Sequence, residues 1–306
     1  MTPASPPSPR ASVVIPCKGH ARELARCLES LRGQTDDFDF ETLVVDSAID
    51  SEVEAVVDRF RGVGLERGNP GLLAGSARNL GAERASGPYV AFIDADCQAE
   101  PDWLASAVAA LDRGATLVGG PVLDTRPWHP VAAADNLLQF ADFPPGREAG
   151  PSRYFPGCNM AIRRADLLSV GGFPDVALSA GEDTALCEAV LREWPEGLYF
   201  VPDMRVRHDG RSAISDFLRH QASFGRARGA LGLHLSRAQV RWGRSPLVMP
   251  AVVTKRLSYI VRRQVAWEPA RSVRLLPLAP LIVAGLVAWA GGFREGCRLK
   301  IEGETA

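Results

Sequence analysis

What most restricts the fold of this chain is an alternation near its start: short apolar runs bounded by turn residues, each paired with a helical pattern. SVVIP (residues 12–16) is closed by Pro16, and Leu24, Cys27, Leu28 and Leu31 then recur at i, i+3, i+4 and i+7 before Gly33. FETLVVD (residues 40–46) is followed by Val53, Val56, Val57 and Phe60 at helical spacing, and a helical stretch over residues 72–85 leads into YVAFI (residues 89–93). Strands that take turns with helices predict an α/β fold with a mostly parallel central sheet covered on both faces. In such sheets ligands gather outside the carboxyl ends of the strands. Asp46 and the pair Asp94/Asp96 stand just past two of those ends.

A dinucleotide is the simplest ligand for such a sheet, and its signature is missing. CKGHAREL, after the first strand, has one glycine, and GVGLERG carries Arg67 where a third glycine is required. Without that loop a diphosphate must be held another way, and a divalent cation is the obvious substitute. Two carboxylates one residue apart repel unless a cation or a proton resolves them. Ligation by oxygen alone suits Mg or Mn, which keep several waters and also bind substrate phosphates. The same pair reads equally as turn and cap residues ahead of a helix opened by Glu100-Pro101-Asp102. Spacing leaves both readings open.

With 306 residues, 46% hydrophobic and 23% charged, the chain is globular and buries one large core or two small ones. Its six cysteines lack C-x-x-C or mixed Cys/His spacing, which points to reduced thiols rather than a disulfide or zinc framework. Residues 1–11 read as a Pro/Ser/Ala-rich disordered tail with no charged segment leading into an apolar run, so the catalytic part is expected in the cytoplasm.

Read together, VVIPCKGH, VVDSAID, ARNLGAERASGPYVAFIDADC, PGCNMAIRR, GGF and GEDTALC resemble, in sequence and spacing, the family 2 glycosyltransferases, inverting enzymes of the GT-A fold. Each motif alone is weak, and six in register are strong; the resemblance spans residues 12–229. It implies a Rossmann-like sheet flanked by helices over residues 12–235, and a nucleoside diphosphate sugar as donor. The acceptor would be a glycan, a lipid-linked or a small molecule, and the cofactor Mg or Mn. Carried over residue by residue, the resemblance puts Asp46 at the nucleobase and Arg78 in the nucleotide site, with Pro16 and Lys18 beside it. Asp94 approaches the ribose or the metal, Asp96 ligates the metal, and His208 completes the metal shell or meets phosphate. The acidic pair Glu182-Asp183 supplies the general base, mapped to Asp183, and Gly157 and Asn159 border the sugar. Two positions depart from the family pattern: Cys17-Lys18-Gly19-His20 stands where a Tyr-Asn pair is usual, and Ser47 follows Asp46 where a second acid is common.

Each of these residues also has a structural reading. Glu182 is N3 of an S-x-x-E capping box with Ser179, Asp183 is a first-turn acid, a lone histidine is commonly structural, and Gly and Asn suit tight turns. Two other function classes compete as well. A nucleotidyltransferase would carry a glycine-rich basic loop where CKGH stands, and a non-catalytic membrane-associated binding module would retain the fold without the chemistry.

The net charge of −1 hides a split: residues up to 235 carry 23 basic and 32 acidic side chains, and those beyond carry 12 and 4. Residues 236–306 are therefore expected to form a basic and apolar helical extension. Residues 275–293 hold no charge, 19 residues in all, enough by count to cross a membrane. Pro277 and Pro280 are expected to interrupt that run, leaving a helix of about 14 residues that Gly291-Gly292 ends. PLVMPAVV (residues 246–253) is a second apolar run, and Lys255, Arg256, Arg262, Arg263, Arg271 and Arg274 between the two suit anionic lipid headgroups. Shallow attachment to the cytoplasmic face of the membrane is the first expectation, a single span the second, and a packed helix or homodimer contact the third. The arginines alternate with apolar runs rather than stacking aromatics, so no nucleic-acid partner is expected.

Overall fold

The computed structural model describes residues 8–35, 38–176, 178, 180–232 and 235–299. In chain order the elements are β1 (Ala11–Cys17), α1 (Ala21–Arg32), β2 (Phe40–Asp46), α2 (Ser51–Val57), β3 (Val63–Arg67), α3 (Ala74–Arg84), β4 (Tyr89–Ile93), β5 (Cys97–Ala99), α4 (Trp103–Asp112) and β6 (Leu117–Gly119). They continue with β7 (Val122–Asp124), α5 (Pro130–Phe140), β8 (Gly150–Pro151), β9 (Asn159–Arg163), α6 (Arg164–Ser169), α7 (Glu182–Glu193), β10 (Leu198–Phe200) and β11 (Val206–His208). Four helices follow: α8 (Ile214–Leu231), α9 (Arg237–Gly243), α10 (Met249–Trp267) and α11 (Leu275–Gly296). The chain divides into two compact units, one of residues 1–121, 148–175 and 186–206, the other of residues 122–147, 176–185 and 207–306.

The first unit is built on an eight-stranded sheet in the order β3-β2-β1-β4-β9-β6-β10-β8. β2 and β4 flank β1 in parallel, β3 adds in parallel to β2, and β6 is parallel to β10; β9 runs antiparallel between β4 and β6. A central strand covered on both faces must be apolar on both, which is why SVVIP is a run rather than an alternation. Val13, Val14 and Ile15 are accordingly wholly buried. α1 buries the stripe Leu24, Cys27, Leu28 and Leu31, whereas α2 ends at Val57 and leaves Phe60 to the turn that follows. α3 has no apolar stripe and approaches β1 through small residues: a Cβ on Gly81 would come within 2.3 Å of Val14 Cγ1. All six cysteines are buried free thiols.

Register brings the strand ends level. Cys17 pairs with Asp46, Asp46 with Arg67, and Val14 with Phe92, so the loops after β1, β2 and β4 leave from one edge of the sheet.

The second unit packs α5, α8, α10 and α11 around Val131, Leu138, Phe217, Ile260, Ile282 and Leu286. α8 and α11 run side by side with backbones in contact: a Cβ on Gly225 would lie 1.9 Å from Trp289 O, and one on Gly292 1.9 Å from Ala222 O. α11 is one helix of 22 residues, not the interrupted segment the prolines led us to expect. Pro277 falls in the first turn, where a backbone N–H has no helical partner anyway. Pro280 removes a single bond near the helix start, and Gly292 does not end the helix because it is the point of closest approach to α8.

The same unit buries a carboxylate. Asp135 is inaccessible to solvent and accepts from Arg211 N at 3.2 Å, Arg211 Nη1 at 3.3 Å and Gln221 Nε2 at 3.2 Å, with His220 Nδ1 at 3.5 Å. Burial alone would raise its pKa, but contact with His220 and the charges of His220 and Arg211 outweigh that and bring it down to about 2. A carboxylate depressed on folding stabilises above its unfolded value and loses that contribution as pH falls through the folded one. We therefore expect the thermal stability of the wild type to drop between about pH 4 and pH 2. The Asp135→Asn variant, destabilised by about 2 kcal/mol at neutral pH by the loss of its charge-assisted bonds to Arg211, should show a much shallower drop in circular-dichroism melts over that window.

Candidate active site

Acidic side chains collect at the edge where β1, β2 and β4 end. The buried Cys17 thiol registers them: burial first, then the charges of Asp46, Asp50 and Asp96, push it up to about 12. Asp46, 2% exposed, turns into its own loop and accepts from Ala48 N at 2.9 Å and Asp50 N at 2.7 Å. After β1 the chain reverses through two left-handed residues, Gly19 (φ 72°) and His20 (φ 63°), with Lys18 exposed and Pro16 half-buried before them.

Asp94 and Asp96 follow β4 directly, and both are half-exposed. The Asp94 carbonyl accepts from Cys97 N at 2.9 Å, and α4 begins only at Trp103, so neither acid caps that helix. The cap reading of the pair is thereby removed.

Arg78 is the hub of the site. Its guanidinium is buried, donates from Nη2 to Asp94 Oδ1 at 2.7 Å and lies over the Phe173 ring, 5.4 Å from the centroid. A charge-assisted bond of this length orients the Asp94 carboxylate. A Cβ at position 157 would fall 2.6 Å from Arg78 Cζ, so glycine there is what makes room for the guanidinium. Next along the chain, Asn79 grips the Phe173 backbone twice, Nδ2 donating to its carbonyl and Oδ1 accepting from its N–H, each at 2.8 Å. The ARN, DAD, PGC and GGF segments thus converge on two consecutive side chains of α3.

The strand-end segment is pinned by Ser30 and Gln34, neither of them among the expected site residues, and by Asn159. Ser30 Oγ accepts from Ala99 N at 3.0 Å, while Gln34 donates to Glu100 O at 2.9 Å and accepts from Leu104 N at 3.0 Å. Asn159 is wholly buried: it accepts from Trp103 Nε1 at 2.9 Å and donates to Pro121 O and Met204 O at 3.0 Å each. Its amide is committed at both ends. The one sequence signal for these residues is a polar side chain at the end of an apolar pattern.

Three expected site residues belong to the second unit. Glu182 and Asp183 open α7, and Asp183 Oδ1 accepts from Thr184 N at 2.6 Å and Thr184 Oγ1 at 3.3 Å. Ser179, the expected capping-box partner of Glu182, lies outside the described residues. His208 is buried with its ring edge-on to Phe140, 5.1 Å between centroids. Among the described residues no group of three or more His, Cys, Asp and Glu side chains gathers as a metal cluster. Asp94 and Asp96 alone are an oxygen-only pair, a donor set that fits Mg or Mn, which take one or two carboxylates together with waters and substrate phosphates.

The family description "Glycosyl transferase family 2" matches residues 12–170. The chain is similar to glycosyltransferase AglE of Haloferax volcanii, 29% identical over 182 residues, which cover 57% of this chain and 59% of that one. It is also similar to the pre-mycofactocin glycosyltransferase of Mycobacterium tuberculosis, 29% identical over 234 residues, covering 73% and 48%. The chain therefore spans about half the length of these curated relatives. Among solved structures it is similar to a mannosyltransferase of Pyrobaculum calidifontis in complex with GDP-Man and Mn2+, with 18% identity, a TM-score of 0.59, and coverage of 94% of this chain and 87% of that one. At that identity the likeness shows the fold, which is the GT-A fold expected from the sequence.

Proposed function

This chain belongs to glycosyl transferase family 2, and from that membership we propose that it moves a sugar from a nucleoside diphosphate to an acceptor hydroxyl, with inversion at the anomeric carbon and with a divalent cation. The observation that carries the proposal is the convergence on Arg78, which ties the acidic pair, Gly157 and Phe173 together at the strand-end edge. In this reading Arg78 and Asp94 face the nucleotide together with Pro16 and Lys18, Asp46 shapes the loop beside the base, and Gly157 keeps the guanidinium in place beside the sugar. Asn159 supports the wall beside the sugar through its bonds to Trp103, Pro121 and Met204, and His208 is assigned to the metal or the phosphate, as the resemblance implies.

Bound Mg or Mn would be held by Asp96 with Asp94, and would neutralise as a Lewis acid the charge that grows on the leaving diphosphate. The acceptor hydroxyl is a weak nucleophile, so Asp183 takes its proton as attack proceeds. Attack from the face opposite the diphosphate inverts the anomeric centre. The acceptor hydroxyl sits on a glycan, a lipid-linked or a small molecule, met at the cytoplasmic face of a membrane, which is the second partner we infer.

Released nucleotide measured over a panel of UDP-, GDP- and dTDP-sugars tests the reading, and silence across the panel with and without acceptors counts against it. EDTA is expected to abolish release, with Mg or Mn restoring it, and Asp96→Ala should weaken donor binding on the order of a hundredfold, the scale of a several-kcal/mol Lewis-acid contribution. Activity undiminished by EDTA would remove the cation from the proposal.

A further inference from the structure

From Leu276 to Gly291 the outer face of α11 has no polar side chain where a helix on a water-facing surface carries its charges. Leu276, Pro280, Val283 and Val287, spaced by four, three and four residues, form one exposed stripe, with Leu276 81% and Val287 58% accessible. The segment Pro269–Gly296 is long and apolar enough to cross a membrane by length and composition, and only 33% of its most apolar window is buried.

Both ends of the stripe are basic. Arg271, paired with Glu268 at 3.0 Å, and Arg274 precede it, two cations to one acid. After it, Arg294 and Arg298 each donate to Arg244 O at 3.4 Å, while Arg244 donates to Cys297 O at 2.7 Å, which brings three guanidiniums onto backbone carbonyls. The neighbouring acid, Glu295, is taken by Arg226 at 2.7 Å. Trp242, 65% exposed, stands beside this basic end in sequence.

We propose that this face is seated on an anionic lipid surface, with α11 lying in the plane of the interface rather than crossing it; the inference rests on the membrane partner of the reading above and specifies how it is met. Charge decides against a second copy of the chain. A two-fold contact along the stripe brings either like ends or opposite ends together, and because both ends are basic, cation meets cation in either case. Lipid phosphate complements both ends, and apolar side chains between them enter the boundary region to a depth of about 5–10 Å. The α8 contact decides against a span. α11 touches α8 from Gly285 against Phe217 to Gly296 against Arg226 O, so crossing would carry the Asp216, Arg219 and Arg226 side chains of α8 with it. Each such charge is strongly unfavourable at the bilayer centre.

The test is flotation of the full chain with vesicles of phosphatidylcholine alone and of equal parts phosphatidylcholine and phosphatidylglycerol at physiological salt. The wild type should float with the anionic vesicles only and come off in alkaline carbonate. Val283→Asp with Val287→Asp should abolish flotation, and Arg294→Gln with Arg298→Gln should weaken it about 30-fold, which is two charges at about 1 kcal/mol each. Donor hydrolysis should be unchanged in all of them, so a failure here is distinguishable from a failure of the sugar-transfer reading. Equal flotation of wild type and variants would show that another surface meets the lipid, and carbonate resistance would show a span. A dimer in light scattering that the valine variants dissociate, with no flotation, would give the face to a second copy. Each of these three results overturns the proposal.

Discussion

Asp183→Asn is expected to lower turnover about a thousandfold, within the range that a positioned general base contributes, while donor affinity measured by calorimetry stays unchanged. The substitution isolates proton transfer. Asp183 Oδ1 accepts from Thr184 N and Thr184 Oγ1, and the side-chain carbonyl of asparagine accepts the same two bonds, so the start of α7 keeps its structure. What asparagine lacks is the capacity to take the acceptor's proton, a demand made only as the hydroxyl attacks, and a loss of that kind appears in kcat rather than in donor binding. Glu182→Gln serves as the neighbouring comparison: if the large loss moves to that variant, Glu182 is the base. Donor affinity falling in step with turnover would take Asp183 out of catalysis.

Gly292→Val should lower the melting temperature by about 10 °C, from about 3 kcal/mol of overpacking, whereas Gly291→Val, one residue away, should change it little. The two glycines are chemically identical and adjacent on α11, yet a Cβ on Gly292 would lie 1.9 Å from Ala222 O, and one on Gly291 meets nothing within 4 Å. Relief by tilting is blocked along the same seam, because Gly225 and Gly296 are as close to Trp289 O and Arg226 O. Equal melting temperatures for the two variants would mean that α8 and α11 are not in contact.

Elements whose burial is periodic were readable in the sequence. β1, β2, α1 and much of α2 showed their faces because apolar side chains recur at the period of the backbone that buries them. β3 did not: GLER has no pattern, since an edge strand buries little, and its half-buried positions carry no common chemistry. The acidic pair was legible as a site, yet what organises it was not. Arg78 reaches Asp94 because position 157 lacks a Cβ, and Asn79 holds Phe173 across 94 residues of sequence. Contacts of that kind depend on the absence of an atom in a distant segment, and no local window records it. The prolines of α11 misled for the opposite reason: their local preference is real, and position in the first turns together with the α8 contact overrides it.

The meeting of α8 with α11 has a consequence for where the protein works. Helices joined main chain to main chain through glycine cohere by dispersion between atoms already touching, rather than by the release of ordered water. Cohesion of that sort keeps its strength when hydrocarbon replaces the aqueous medium, so the paired helices remain a single rigid element on either side of that boundary.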